Sequence, residues 1–192
     1  MNSTKPNKYW TPQHIELLLL ALTLLATVLI SALTLRQTTR NFEITTRHYE
    51  IERTSAFVAR FNSLEMVELR EEVDRWLESN ESPSQLYDRS IGTPVDPATA
   101  SANSSLTAEQ ALRTVSKLRT MANYFQEFGS AFRADSLNER YAHELLGSVC
   151  VRYAILLEPF IIETRKRRQR PQLYTEVFLL KSRMESLDKK PQ

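Results

Sequence analysis

The 192-residue chain is poor in cysteine and glycine, with a single cysteine, Cys150, and three glycines. One cysteine cannot form an intrachain disulfide, and it supplies neither a CxxC redox pair nor the thiolate cage of a zinc site. Turns of β-rich folds use glycine, whereas helices avoid it. The composition therefore predicts an all-α protein, and it is consistent with a reducing compartment for most of the chain.

The chain also lacks an excess of charge of one sign, because its 25 lysines and arginines are nearly balanced by 23 acidic residues, which leaves a net charge of +2. Such a balance creates no global field that would draw the protein onto nucleic acid or an acidic substrate. Local clusters must carry any binding of that kind. The length allows one folded domain beside the N-terminal segments.

The longest apolar run, residues 15–35, organises the rest of the chain. Its nineteen positions from Leu17 onward carry no formal charge. At about 1.5 Å per residue they extend ~28 Å, close to the ~30 Å hydrocarbon core of a bilayer. A cleaved signal peptide has a shorter apolar region and a small-residue cleavage site. We therefore interpret 15–35 as an uncleaved transmembrane helix after a polar tail, residues 1–14.

Four hydroxyl residues recur within this span at spacings of four, four and three: Thr23, Thr27, Ser31 and Thr34. This spacing places them on one stripe of a helix. Small polar residues let helices approach closely and hydrogen-bond in lipid, which favours self-association of the span. The alternative is that each hydroxyl bonds the carbonyl four residues earlier in its own helix and recruits no partner.

Basic residues around the span predict its orientation. Four arginines follow it within eighteen residues: Arg36, Arg40, Arg47 and Arg53. The tail offers only Lys5, Lys8 and the amino terminus. Because basic residues are enriched on the cytoplasmic side of a span, we expect the C-terminal region to be cytoplasmic.

Residues 36–56 are predicted to continue the span as a polar helical stalk. The apolar pair Phe42 and Tyr49 and the pair Ile44 and Ile51 are each seven residues apart, but the two pairs lie on different faces. Residues 57–78 then form an amphipathic helix. The stretch 79–105 contains Pro83, Pro94, Pro97 and a low-complexity run, so we expect a flexible loop there.

Residues 106–188 are predicted to complete a cytoplasmic helical bundle with 57–78. One helix begins at Thr107, with Gln110 in a capping box, and Gly129 is a plausible stop. A capping signature at 136–139 opens the next helix, which Pro159 should kink or break. Pro171 fits the first turn of the last helix. We expect nine residues in the interior: Phe57, Phe61, Val73, Trp76, Leu118, Phe125, Leu146, Tyr153 and Leu180.

The run 122–184 resembles an uncharacterised bacterial family, domain of unknown function 4760. The resemblance rests on Asn-x-Phe-x-Glu-x-Gly at 123–129, on Leu-x-Gly-Ser at 145–148 with Arg152 and Tyr153, and on Pro171, Leu173 and Tyr174. It implies an all-helical, membrane-anchored protein, and we expect the span to lie in the bacterial inner membrane. It brings no known activity.

Glu127 and Arg152 are the best candidates for a special polar interaction. Both lie beside dense apolar residues, where an ionised group requires a partner. We predict a buried ion pair that fixes how two helices pack. A ligand-binding or catalytic carboxylate is the alternative.

Catalytic and metal-binding motifs are weak in this sequence. Glu139, His143 and Glu144 could line up as metal ligands, since 139 and 143 are one helical turn apart, but a metal site requires further ligands and His14 and His48 are isolated. Arg140 lies too near His143 for the Arg-x4-6-His pattern of helical nucleases. We therefore expect no cofactor, no metal and no catalytic centre.

The only dense basic run ends the predicted third helix: Arg165, Lys166, Arg167, Arg168 and Arg170. Cations at a helix C-terminus complement its dipole, so a solvated cap is the simplest interpretation. Contact with anionic lipid headgroups is the functional alternative. No nucleic-acid partner is expected, because no aromatic platform accompanies the run.

These observations support two functional hypotheses. The first is a non-enzymatic, membrane-anchored helical protein that acts through contacts with an unidentified protein partner and through homo-oligomerisation. The second is an oligomeric membrane-perturbing or pore-forming effector, such as those of bacterial defence systems. They differ in whether the stripe of Thr23, Thr27, Ser31 and Thr34 faces a neighbouring helix or water.

Overall fold

The computed structural model describes residues 12–78, 81–92 and 107–189. Over these ranges the regular structure is entirely helical, which confirms the all-α prediction. The helices are α1 (Pro12–Phe61), α2 (Leu64–Glu78), α3 (Pro83–Ser90), α4 (Ala108–Arg133), α5 (Glu139–Arg168) and α6 (Thr175–Asp188). Most of the predicted tail and most of the predicted loop at 79–105 lie outside the described residues. The chain divides into two units, 1–48 and 49–192.

The first unit contributes the greater part of α1. Its large apolar side chains between Ile15 and Leu35 are between 45% and 70% exposed. The helix is long and apolar enough to cross a membrane. α5 meets the same criterion of length and composition, but its Leu157, Phe160 and Ile161 are fully buried by neighbouring helices. Part of the apolar surface of α5 is therefore covered within its bundle, although Ile155 and Ile162 are exposed, whereas the large apolar side chains of α1 between Ile15 and Leu35 are all exposed.

The second unit is a helical bundle in which α4 packs against α2, α3, α5 and α6. The end of α1 joins this bundle through aromatic side chains. The Phe57 ring lies 4.9 Å from Phe128, and the Phe61 ring lies 5.9 Å from Tyr124. The Tyr124 hydroxyl donates to the Phe57 carbonyl oxygen over 2.9 Å. Aromatic packing and one hydrogen bond thus attach the last turns of α1 to α4.

The predicted amphipathic helix at 57–78 is in fact two helices. α1 ends at Phe61 and α2 begins at Leu64. Ser63 starts the second helix, since its carbonyl accepts from the Val67 amide and its side chain accepts from the Met66 amide. The break leaves Leu64 75% exposed, and α2 buries one face consisting of Met66, Leu69, Val73 and Trp76.

Residues 83–90 form α3, so the predicted flexible loop is wrong for this stretch. Pro83 occupies the first turn, and Ser82 and Gln85 form a reciprocal capping box. Leu86 and Tyr87 are buried. The Tyr87 ring stacks on Phe160 at 5.5 Å. The capping box was the available sequence signal, and the surrounding prolines obscured it.

The predicted start of α4 is confirmed, because Thr107 and Gln110 form a capping box. The predicted stop at Gly129 is wrong, since α4 continues to Arg133 and Gly129 is buried within it. A Cβ at Gly129 would collide with the backbone of Glu176 on α6. The glycine therefore permits close packing of two helices and does not end one.

The ends of α5 and α6 also differ from expectation. Asn138 caps α5 by accepting from the Tyr141 amide, and the helix continues through Pro159 to Arg168 without a break. Pro171 lies in a turn before α6, whose N-terminal cap is Tyr174 with φ of 60°. α6 buries one face, which consists of Val177, Leu180 and Met184.

The interior residues follow the sequence pattern closely. Eight of the nine predicted positions are buried, and Phe57 is half-buried against the same core. An apolar face at helical spacing identifies the side that packs, even where the partner helix is unknown.

Candidate functional site

Three of the four hydroxyls of the α1 stripe bond to their own helix. Thr23 donates to the Leu19 carbonyl, Thr27 donates to that of Thr23, and Thr34 donates to that of Ile30, at 2.6 to 2.8 Å. The same bonding continues at Thr38 and Thr45. These hydroxyls are therefore satisfied without water, and the small polar face extends beyond the predicted span.

Two apolar side chains interrupt the polar part of the first unit. Phe42 is 72% exposed and Ile44 is 58% exposed. They are two residues apart, so they lie on nearly opposite faces of the helix. Nearby, Arg36 and Arg40 line an open surface with Ala32 and Leu35. This part of α1 thus combines cations with exposed apolar side chains.

The predicted buried ion pair between Glu127 and Arg152 is wrong. Glu127 pairs instead with Arg60 at 2.7 Å, with both side chains more than half exposed. Arg152 lies 3.6 Å from Asp74, and its side chain is 64% exposed. Both charged groups face solvent, so neither enters the core.

An enclosed ion pair lies elsewhere, at the two ends of α3. Glu81 Oε1 is 3.0 Å from Arg89 Nε, and the Glu81 side chain has no exposed surface. Sequence reasoning missed this pair because it placed both residues in a flexible loop. Burying a carboxylate requires a charged partner, so the pair helps to hold α3 in place.

The residues weighed as metal ligands are engaged in separate contacts. His143 Nε2 lies 2.8 Å from Asp188. Glu139 pairs with Arg183 on α6, and Glu144 pairs with Arg140 on its own helix. Within residues 12–78, 81–92 and 107–189, no group of three or more His, Cys, Asp or Glu residues is placed to hold a metal ion.

The five cations of the basic run at the end of α5 fall into two sets, one that forms contacts within the protein and one that faces solvent. Arg165 donates to the Leu173 carbonyl over 2.6 Å. Arg167 pairs with Glu163 and Asp88, and it also donates to the Ser84 carbonyl. These two arginines therefore hold the following turn and α3 against α5.

The other three cations of the run are solvent-facing: Lys166, Arg168 and Arg170. Each is exposed, and none forms an ion pair within the described part of the chain. Ile162, Lys166 and Pro171 border an open pocket of about 430 Å³. Apolar and cationic side chains thus share one surface at this end of the bundle.

A second pocket, of about 390 Å³, lies where α4, α5 and α6 meet. It is lined by Phe132, Leu179 and Leu180 together with charged side chains. Its two arginines are occupied, since Arg133 pairs with Glu176 and Arg183 pairs with Glu139. The pocket offers an apolar floor but no uncommitted cation.

The ionisable groups with shifted pKa values lie mainly in the packed interior. Burial raises the pKa of the Cys150 thiol and of the Tyr124 hydroxyl, so both remain protonated. Burial also acts to raise the pKa of Glu72, but a hydrogen bond from Thr114 and the charges of Lys117 and Arg75 outweigh it and lower that pKa. Cys150 is 1% exposed, so its thiol is inaccessible to a substrate.

Comparison with known families places almost the whole chain in one group. The family model described as a domain of unknown function (DUF4760) matches residues 18–184. The match begins in the apolar part of α1 and ends in α6, so the apolar helix and the bundle belong to one family unit. No curated protein and no solved structure matches the chain. The chain belongs to the family of the domain of unknown function DUF4760.

Proposed function

We propose that this protein is a single-pass membrane protein of the bacterial inner membrane, whose helical bundle lies in the cytoplasm and acts through protein contacts and self-association. The first unit supplies the anchor and the surface for self-association. The bundle supplies the surface for a protein partner. No chemical reaction is required for this role.

The exposed apolar surface of α1 is the observation that carries the proposal. Leucine side chains such as Leu24, Leu29 and Leu35 are 55% to 70% exposed. Each large apolar side chain left in water costs about 1.5 to 3 kcal/mol relative to burial. The bundle buries its own leucines, including Leu118 and Leu157. A bilayer core removes the α1 side chains from water. It also accommodates a helix, because the backbone groups of a helix hydrogen-bond within the helix itself.

The cytoplasmic orientation is supported by basic residues after the span. Arg36 and Arg40 lie within five residues of its end, and Arg47 and Arg53 follow. The tail carries Lys5, Lys8 and the amino terminus. The excess agrees with the distribution of basic residues in membrane proteins of known orientation.

Carbonate extraction and protease accessibility test the anchor and its orientation. We expect the protein to remain in the membrane pellet after alkaline carbonate treatment. Protease added to spheroplasts should spare the residues after Leu35 and should digest them once the membrane is permeabilised. Extraction by carbonate would overturn the anchor, and digestion in intact spheroplasts would overturn the orientation.

Self-association is supported by the hydroxyl stripe and by an exposed stalk residue. The hydroxyls of Thr23, Thr27 and Thr34 already bond their own helix, so the stripe is a small surface with little desolvation cost. A neighbouring helix can approach such a surface closely in lipid. Of the two exposed stalk residues, Phe42 lies nearer the side of the stripe and Ile44 lies nearly opposite Phe42, so Phe42 offers the further contact area beyond the span.

Replacing Thr27 and Ser31 with leucine tests this association. The variant keeps the apolar length of the span but places bulky side chains on the stripe of small residues. We therefore expect smaller oligomers in detergent solution and an unchanged bundle. The matched control, Ala21→Leu with Ala32→Leu, enlarges two residues on another face and should leave the distribution unchanged. A monomeric wild-type protein would overturn the self-association proposal, and an unaffected variant would exclude the stripe.

Pore formation remains the alternative function, and it requires the same stripe to face water. Conductance across liposomes that contain the purified protein separates the two functions. An assembling anchor gives oligomers without conductance. Conductance that is lost in the Thr27→Leu and Ser31→Leu variant would favour the pore.

A further inference from the structure

We propose that the C-terminal end of α5 and the turn after it bind anionic lipid headgroups. The surface, here named the basic turn, consists of Lys166 and Arg170 with the apolar Ile162 and Pro171. It is a second lipid contact, separate from α1. The choice of lipid as the partner rests on the proposed function, because a membrane anchor keeps the bundle close to a bilayer and raises the effective concentration of headgroups.

The cations of the basic turn are available to a ligand. Arg165 and Arg167 are committed to Leu173, Asp88 and Glu163, and they fix the position of the turn. Lys166 and Arg170 carry no ion pair within the described ranges. Two like charges four residues apart repel one another, so an anionic surface stabilises them where water alone leaves the repulsion.

Apolar side chains accompany these cations. Ile162 is 55% exposed, one helical turn before Lys166. Ile155 is 50% exposed on the same stripe, and the exposed Pro159 lies between them. Surfaces that lie on membranes combine such apolar residues, which enter the headgroup boundary, with basic residues that contact the phosphates.

The aromatic residues near the basic turn argue against nucleic acid. Tyr174 is buried. Phe178 is half-buried, and the Arg165 guanidinium lies 5.1 Å from its ring centre. Single-stranded nucleic acids are bound by exposed aromatic rings on which bases stack. The basic turn offers aliphatic side chains in that place, which suit acyl chains and headgroups.

Sedimentation with vesicles tests the proposal on the full chain. The protein is held in phosphatidylcholine nanodiscs, so that α1 is already in lipid, and is mixed with sucrose-loaded vesicles. The vesicles contain phosphatidylcholine alone or with about 30% phosphatidylglycerol. We expect co-sedimentation only with the anionic vesicles, and we expect its loss at about 0.5 M salt because screening shortens the range of the interaction.

The variant Lys166→Gln, Arg170→Gln should weaken this binding by about 25-fold, or about fivefold per cation. The matched control replaces Arg75 and Arg113 with glutamine. Those arginines are exposed and paired within their own helices, so the control removes the same charge and should bind almost normally. Ile162→Ser should weaken binding without changing its salt dependence.

Each outcome decides the question. Equal binding of wild type and variant, equal loss in the control, or no binding to anionic vesicles would overturn the proposal. Binding of single-stranded RNA that depends on the same two cations and outcompetes the vesicles would assign the basic turn to nucleic acid instead. Failure of the protein to enter nanodiscs would contradict the membrane anchor but not the basic turn, because vesicle binding can then be measured in the absence of nanodiscs.

Discussion

Gly129 of α4 lies directly against the backbone of Glu176 on α6. A Cβ at Gly129 would collide with the Glu176 carbonyl oxygen and lie 2.9 Å from its carbonyl carbon. A hydrogen bond joins α4 and α6 at the same place, since the Glu176 amide donates to Gln126 Oε1 over 3.1 Å. Arg133, one turn beyond Gly129, pairs with the Glu176 carboxylate at 2.7 Å. One glycine thus sets the closest approach of two core helices.

We expect Gly129→Ala to destabilise the bundle by about 1 to 3 kcal/mol, because the added methyl group meets backbone that cannot move aside. The control is Gly147→Ala. There a Cβ meets the side chain of His143 at 2.8 Å, which can rotate, and alanine also improves helix propensity. Thermal unfolding monitored by the buried Trp76 compares the two. Equal stability of both variants would contradict the close packing.

Adjacent leucines on α5 offer a second test of the core. Leu146 is 3% exposed, whereas Leu145 is 44% exposed. Truncating Leu146 to alanine should cost about 2 to 5 kcal/mol, because it leaves a cavity in the interior. Leu145→Ala should cost far less. Urea denaturation of both variants measures the difference, and a reversed order would mean that α5 presents its other face to the core.

The lowered pKa of Glu72 predicts a dependence of stability on pH. Thr114 Oγ1 donates to Glu72 over 2.9 Å, and Lys117 lies 3.3 Å away. The carboxylate is favoured in the folded protein, so its stabilising contribution is present above its usual pKa of 4.5 and is lost as the pH falls through the lower folded-state value.

Thr114→Val removes this hydrogen bond, so we expect the pKa of Glu72 to rise and the acid-induced loss of stability to begin at a higher pH. NMR titration of the Glu72 carboxyl and urea denaturation at several pH values measure these effects. Thr120→Val is the control, since Thr120 donates only to the Ser116 carbonyl of its own helix. An unchanged Glu72 titration in the Thr114 variant would refute the assignment.

The two roles within the basic run predict different effects on stability. Arg167 connects α5 to Asp88 and Ser84 of α3, so Arg167→Gln should cost about 1 to 3 kcal/mol. Arg168 is exposed and unpaired within the described residues, and Arg168→Gln should change stability by less than about 0.5 kcal/mol. Hydrogen exchange at the amides of α3 should accelerate in the first variant alone. Equal protection of α3 in both would remove Arg167 from this role.

Local sequence patterns identified several elements because their causes lie within a few residues. The capping box of Thr107 and Gln110 requires only a three-residue spacing. The interior faces of α4 and α6 follow from apolar residues at helical spacing, as Leu118 and Leu180 show. The apolar length of α1 is likewise a property of consecutive residues.

Features that depend on a distant partner were missed or assigned incorrectly. Glu127 has apolar sequence neighbours, yet its carboxylate faces outward and pairs with Arg60, 67 residues earlier. α3 is short, and two contacts of Tyr87 with α5 position it. The Tyr87 ring stacks on Phe160, and the Tyr87 hydroxyl hydrogen-bonds the Thr164 hydroxyl at 2.6 Å. A helix of eight residues is marginal by itself and becomes stable through such packing.

The sequence therefore shows the chemistry of each residue, but it does not show which groups surround that residue in the folded protein. Gly129 shows the difference, since glycine near a predicted helix end is a common stop signal, and α6 of the folded protein lies against it instead. The sequence by itself determined the helical class, the apolar segment at 15–35 and the interior faces, because these depend on spacing along one helix. Only the tertiary structure decided which charges pair, which arginines remain free and where two helices touch, because each of these depends on groups that are distant in sequence and brought together by folding.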